Sequence, residues 1–274
     1  MPYQDYLGRS ETRTDMVWPL LVQGFAASLD LPDPSPVLPP LWHWMLFQHW
    51  APAHGLGPDG HPQRGGFLPP VHELPRRMWA GGRVSFLAPL HVGEPVTRVS
   101  TIQSIEEKTG GSGRLVFVIV RHEISGEAGP AIVEEQDIVY RGTEGAAVKP
   151  AAAAAPPPEG ALVRKLRPDS VLLFRYSALT GNGHRIHYDQ DYAMREEGYP
   201  GLVVHGPLQA TFLAALAREV VGGAALARFT YRGRRPAFHD RALTLVAARS
   251  GGRVRVESRD DTGAVSMDGE AALG

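Results

Sequence analysis

None of the 274 residues is cysteine. That excludes a disulfide framework, a thiolate nucleophile and a cysteine-ligated metal, and it fits a protein of the reducing cytoplasm. No stretch approaches the ~20 consecutive apolar residues a membrane span needs, and the opening segment Met1 to Arg9 has no apolar core of the signal-peptide kind. Charge of one sign is also lacking. A formal net charge of -1 gives no reason to expect nucleic acid or an anionic membrane as partner. With 43% hydrophobic and 21% charged residues the chain is expected to be a soluble, unprocessed globular protein with a sizeable core.

Its length suits two domains of roughly 100–200 residues each. Residues 146–160 read AAVKPAAAAAPPPEG, alanines without an amphipathic pattern running into three prolines that cannot continue a helix. This stretch is expected to be a linker between residues 1–145 and 161–274. Each part follows the same order of elements. Asp15 is placed to cap an apolar segment Met16–Leu29, and Asp169 or Ser170 precedes Val171–Leu179. A second apolar segment opened by proline follows in each part, Pro39 to Phe47 and Gly206 to Leu216. The latter is the clearest helix, ending at Gly222-Gly223. Strand-like stretches come next, from Val84 and from Phe229, then β-branched runs at Leu115–Val120, Ala131–Tyr140, Leu243–Ala247 and Val254–Glu257. A helix followed by antiparallel strands, repeated once, predicts an α+β fold in which a curved sheet wraps a central helix in each half.

Chemistry concentrates in Tyr176-Ser-Ala-Leu-Thr-Gly-Asn-Gly-His-Arg-Ile-His-Tyr-Asp and, shortly after, Gly-Tyr-Pro-Gly-Leu-Val-Val-His-Gly-Pro-Leu. These blocks resemble the signature of the MaoC-like (R)-specific enoyl-CoA hydratases, in which Ser/Thr-Gly-Asp-x-Asn-Pro-x-His is followed by Val-His-Gly and the hot dog helix. The Asn-Gly-His-Arg-Ile-His variant and Pro-Arg-Arg-Met-Trp-Ala-Gly-Gly in the first half are similar to the double hot dog branch of mesaconyl-C4-CoA and itaconyl-CoA hydratases and type 2 hydroxyacyl-thioester dehydratases. The order of elements covers most of the chain, while the motif residues occupy a small part of it. The resemblance implies two tandem hot dog units. It places His187 at the catalytic histidine, Asn182 at the aspartate and Gly206 at the backbone donor, with His184-Arg185 departing from the usual Asn-Pro.

Adding water across a double bond conjugated to a thioester needs a base for the water, an acid for the α-carbon and donors for the enolate oxygen. One histidine can serve both proton roles near neutral pH. Asparagine cannot be a base, so Asn182 is expected to position the water or the imidazole, and a single-histidine shuttle follows. The Gly206 N–H at a helix start suits a developing oxyanion, and glycine lets the thioester approach closely. The first half has Phe25-Ala-Ala-Ser-Leu-Asp-Leu-Pro-Asp-Pro where the second has its histidine segment. It is therefore expected to be catalytically degenerate and to supply pocket walls, with Trp42, Trp44, Met45 and Phe47 either lining acyl space or filling plain core. The remaining histidines, His43, His49, His54, His61 and His72, are read as pocket or surface residues, and His205 as packing beside the helix start.

Arg76, Arg77 and Arg232 are candidate readers of CoA phosphate or of an acyl carboxylate, since the guanidinium fork matches both; a solvated strand edge is the alternative for each. His184, His187, His205 and Asp189 lack a metal-site pattern, so neither metal nor cofactor is expected. The expected partner is a CoA thioester, with mesaconyl-C4-CoA or itaconyl-CoA as substrate and citramalyl-CoA as product. A 3-hydroxyacyl-thioester dehydratase of fatty acid synthesis stays open. So do a hot dog thioesterase, for which the helix Pro207–Arg218 offers only Gln209 in place of a carboxylate, and a non-enzymatic acyl-CoA binding module. Homo-oligomerisation stays open too, because a doubled chain can satisfy its own sheet partner.

Overall fold

Ten strands join one antiparallel sheet in the computed structural model, which describes residues 3–31, 36–110, 113–142 and 152–274. In chain order they are β1 (Ser10–Met16), β2 (Arg76–Phe86), β3 (Pro95–Gly110), β4 (Gly113–Gly126), β5 (Gly129–Arg141), β6 (Leu162–Leu166), β7 (Leu226–Gly233), β8 (Leu243–Ser250), β9 (Arg253–Arg259) and β10 (Val265–Leu273). Their lateral order is β1-β3-β4-β5-β2-β7-β10-β9-β8-β6. Strands from residues 10–141 thus form one side of the sheet and strands from residues 162–273 the other. The seam is β2 against β7, with Gly81 opposite Arg232 and Val84 opposite Phe229.

Among the described residues four α-helices lie outside the sheet: α1 (Pro19–Ser28), α2 (Ser170–Thr180), α3 (Gln190–Arg195) and α4 (Gly206–Val220). The expected helix at Gly206 is α4, opened by Pro207 and followed by Gly222 and Gly223 at positive φ. It packs on β7 to β10 and buries Leu208 and Leu213 completely, each worth about 1.5–3 kcal/mol. Asp169 caps α2 as expected, accepting from Leu172 N at 2.7 Å.

The first half departs from the expected repeat. Residues 10–16 form an edge strand, so Asp15 caps no helix; its carboxylate accepts from Met16 N, Trp18 Nε1 and Phe47 N instead. α1 begins only at Pro19, after Trp18. The segment Pro39–Phe47 is not a long helix but one 3-10 turn, Trp42–Met45, bounded by Leu41 and Phe47 at positive φ. Consecutive side chains there all find partners: Trp42 packs edge-on to Phe25, His43 and Trp44 both bond Glu134, and Met45 is fully buried. A helix with one buried stripe could not give four successive side chains interior partners, so tertiary packing overrides the periodic pattern. Residues 146–151 of the expected linker lie outside the described residues. Ala155, Pro156 and Pro158 run over the outer face of the sheet, beside Arg232 and Asp268.

Without a central helix, the inner face of β3, β4 and β5 carries a polar band. His122 sits between Ser100 Oγ at 2.8 Å and Gln136 Oε1 at 3.2 Å, and Glu134 accepts from His43 Nε2 and Trp44 Nε1, both at 3.0 Å. Burial pushes the Glu134 carboxyl up, and the interactions with His43, His122 and Trp44 together more than offset it, leaving it below the usual value. A depressed carboxyl contributes stability above its unfolded pKa and loses it as pH falls through the folded value. Glu134→Gln is therefore expected to cost about 3–5 kcal/mol in urea unfolding at neutral pH, as for a broken buried pair, with the deficit shrinking under acid conditions. Equal urea midpoints at neutral pH would show that the pair contributes nothing.

Candidate active site

Gly181, at φ 62, ends α2 and turns the chain into the segment 182–187. Asn182 N bonds Ser177 O at 2.9 Å, and the Asn182 side-chain oxygen accepts from His184 N at 3.0 Å, forming an Asx turn. A short 3-10 turn, Arg185–His187, then delivers the imidazole.

His187 is buried, and its Nδ1 lies 2.7 Å from Val203 O. A carbonyl can only accept, so Nδ1 carries the proton and Nε2 keeps its lone pair. Burial, aided by His184 and partly opposed by the Val203 bond, holds His187 down at about 3. It is neutral at physiological pH. Against its face lies His205, with ring centroids 3.6 Å apart and planes at 18°; His205 Nε2 meets Ser177 Oγ at 2.8 Å. Burial and the two neighbouring histidines keep His205 far below its ordinary value as well. Two uncharged stacked rings thus lead directly into α4.

Gly206 opens α4, and its N–H is among the amides a helix start leaves without an internal partner. A Cβ added there would meet nothing closer than Met267 Cε at 3.7 Å and Trp79 O at 4.0 Å. Both are ordinary van der Waals contacts, so protein packing does not demand glycine at this position. Nearby, Trp79, Trp44 and Tyr231 form an edge-to-face aromatic group, with Trp44 and Trp79 centroids 4.8 Å apart.

A contribution from the first half was not legible in the motif. The loop around Asp59-Gly60-His61 clamps the histidine segment: Arg185 N bonds Asp59 O at 2.9 Å, and the His61 and His184 rings lie 4.5 Å apart. Gly60, at φ +85, approaches Gly183 so closely that an added Cβ would fall 2.0 Å from Gly183 O. Only glycine fits either side of that contact. Gly60→Ala is expected to lower the melting temperature and reduce kcat at least tenfold, because the loop that props His184 must move. Wild-type turnover with an unchanged melt would remove this loop from the site. The one sequence signal for it was an Asp-Gly-His tripeptide in a Gly/Pro-rich stretch.

The other candidates are dispersed. Arg77 shares the inner face with its register partner Tyr140 and bonds the Tyr140 hydroxyl. Arg76 is closed off by Glu197, with Nε to the carboxylate at 3.0 Å and Nη2 to the backbone oxygen at 2.8 Å. Arg232 is exposed on the outer face, across the sheet from His187. Trp42 is core, 2% exposed, whereas Trp44 reaches the Gly206 side through Trp79. Of His184, His187, His205 and Asp189, where no metal is expected, His187 and His205 are committed as described, and Asp189 caps α3 and pairs with Arg185. Instead Asp59, His61 and His184 each bring one donor atom within 4.8 Å of the others. Gln209 points into the sheet, its oxygen accepting from Ser258 and Ser266 at 2.8 Å each. It is thus unavailable to direct water at a thioester carbon. The carboxylate of α4, Glu219, sits in the last turn and pairs with Arg164.

Comparison with known proteins shows the family and the fold. Residues 41–239 match the family described as hydroxyacyl-thioester dehydratase type 2. The chain is 44% identical to mesaconyl-C(4)-CoA hydratase of Chloroflexus aurantiacus, over 98% of this chain and 97% of that one. It is 27% identical to the mitochondrial hydroxyacyl-thioester dehydratase type 2 of Schizosaccharomyces pombe, over 78% of this chain and 79% of that one. A solved MaoC-like dehydratase superposes with a TM-score of 0.73 at 16% identity, covering 98% of each chain. A Mycobacterium tuberculosis protein described as having a double hotdog fold does so at 0.61 and 12%, covering 99% and 98%. The fold is the α+β double hot dog, and the chain is a hydro-lyase of the hydroxyacyl-thioester dehydratase type 2 family.

Proposed function

We propose that this protein reversibly hydrates mesaconyl-C4-CoA to citramalyl-CoA, with His187 as the single acid and base. The observation that carries the reading is the locked tautomer: with Nδ1 committed to Val203 O, Nε2 is a neutral, buried base beside the start of α4. In this mechanism Nε2 takes a proton from water as the water oxygen bonds the β-carbon. The electrons move to the thioester oxygen, which the Gly206 N–H receives with the favourable end of the helix dipole. The imidazolium then returns the proton to the α-carbon. One group performing both transfers from one position makes the addition syn. The neutral His205 ring stacked on His187 is well placed to stabilise the transient imidazolium through its π face. Residues 161–274 supply the chemistry in this reading, and residues 1–145 supply walls and the clamp at Asp59–His61. A cytoplasmic location belongs to the same reading.

The family match and the S. pombe relative support a second reading, dehydration of a 3-hydroxyacyl thioester, which would use the same residues in reverse. Incubation with mesaconyl-C4-CoA tests the proposal. Hydration removes the enone absorbance without freeing a thiol. A freed thiol would mean hydrolysis, and an unchanged spectrum with 3-hydroxyacyl-CoA turning over would select the second reading.

A further inference from the structure

Arg77 is a half-buried cation whose position neither packing nor ion pairing explains. Its neighbour Arg76 is neutralised by Glu197, and Arg234 by Asp268, yet among the described residues no carboxylate pairs with Arg77. Its register partner is Tyr140, which places it on the inner face of β2, on the side of the sheet where the histidines lie. There it bonds the Tyr140 hydroxyl, and its charge holds both His61 and His184 down.

The substrate proposed above sets a geometric demand. In a mesaconyl-C4 thioester the free carboxylate is attached to the carbon that takes the hydroxyl. A water held about 3 Å from Nε2 of His187 and bonding that carbon leaves the carboxylate within roughly 5–6 Å of the imidazole. Its reader must therefore sit next to the base and not at the end of a tunnel. Arg232 is on the wrong face, and the Arg76 charge is already paired with the Glu197 carboxylate. His184 has its ring centroid 5.6 Å from that of His187, His61 lies 4.5 Å beyond His184, and Arg77 faces both.

Resting on the hydratase reading, we infer that Arg77, with His184 and His61 as neutral donors, forms a seat for the acyl carboxylate and selects dicarboxylic over plain enoyl thioesters. The position of His184, where the wider family's block has asparagine, acquires a reason: an imidazole N–H extends the arginine's reach toward the reacting carbon. Asp59 lies within 4.8 Å of a nitrogen of each ring, so a cation is the rival occupant. The field at the rings argues against it. After burial, the Arg77 charge is the first influence on both histidines, and it depresses both. A guanidinium beside the cluster repels a metal ion and attracts a carboxylate.

Two unreactive four-carbon probes test this without requiring turnover: succinyl-CoA carries the carboxylate, and butyryl-CoA has a methyl group in its place. By calorimetry the wild-type protein is expected to bind succinyl-CoA at least tenfold more tightly. Arg77→Met should abolish that preference while shifting butyryl-CoA affinity by less than about threefold. His184→Asn, which keeps a small polar group and guards against a folding failure of the first variant, should reduce the preference severalfold. Equal affinity of the wild type for both probes, or equal weakening of both by Arg77→Met, would overturn the inference and make Arg77 a phosphate contact or a structural cation. A one-to-one zinc complex that competes with succinyl-CoA and is lost in Asp59→Asn would overturn it in favour of a metal site. Mesaconyl-C4-CoA turnover is measured in parallel. A retained preference with no hydration would sink the hydratase reading alone, and hydration with no preference would sink the carboxylate seat alone.

Discussion

Replacing His187 with glutamine is expected to lower kcat by roughly 10³–10⁴-fold while leaving the melting temperature within a few degrees of wild type. Glutamine can still donate its amide N–H to Val203 O, so the buried bond at 2.7 Å has a substitute donor and the fold keeps its support. What disappears is the lone pair on Nε2 and the ability to return a proton. Two residues beside it are poor substitutes: His205 Nε2 is paired with Ser177, and Asn182 does not titrate. Activity within tenfold of wild type would sink the mechanism. The pH profile gives a second handle on the same group. Because burial lowers His187 to about 3, the base is lost only as pH falls through that low value. The kcat/KM of the free enzyme should therefore lack an acid limb near 6.5, the value an ordinary imidazole would impose. A limb with its midpoint there would mean that the ring is solvated in the working enzyme.

The second large effect is expected at Asn182, where alanine should cost about 10²-fold in kcat and aspartate should retain much of the activity. The side-chain oxygen of Asn182 accepts the His184 amide and closes the turn that aims the next five residues. Alanine removes that acceptor, and both His184 and His187 lose their fixed approach. Aspartate keeps an oxygen in the same place, and its charge strengthens the bond to the amide. The comparison separates two roles. Recovery with aspartate identifies an acceptor and positioning function, whereas aspartate being less active than alanine would show that the negative charge itself is intolerable beside the reacting thioester. Asn182→Ala at wild-type rate would remove the residue from the site altogether.

Much of this protein was legible from local chemistry alone. The cap at Asp169, the proline-opened helix at Gly206 and the β-branched runs of β4, β5, β8 and β9 are each set by residues within a few positions of one another. The same holds for His187 and Asn182, whose turn is built within a single segment. Where the reading failed, the deciding contacts were long-range. Glu134 claims His43 and Trp44 from about 90 positions away in the chain, turning an expected helix into a 3-10 turn, and β1 exists only because β3 offers it an edge. The tautomer of His187 depended on Val203, the separation of Arg77 from Arg76 on the Glu197 pair and from Arg232 on the face of the sheet, and the Asp59–His61 clamp on two glycine backbones meeting across the halves. Sequence specifies which groups are available and how each short segment bends. Which groups meet is settled by burial and by the pairing of backbone polar groups across the sheet, and neither is a property of any single stretch of chain.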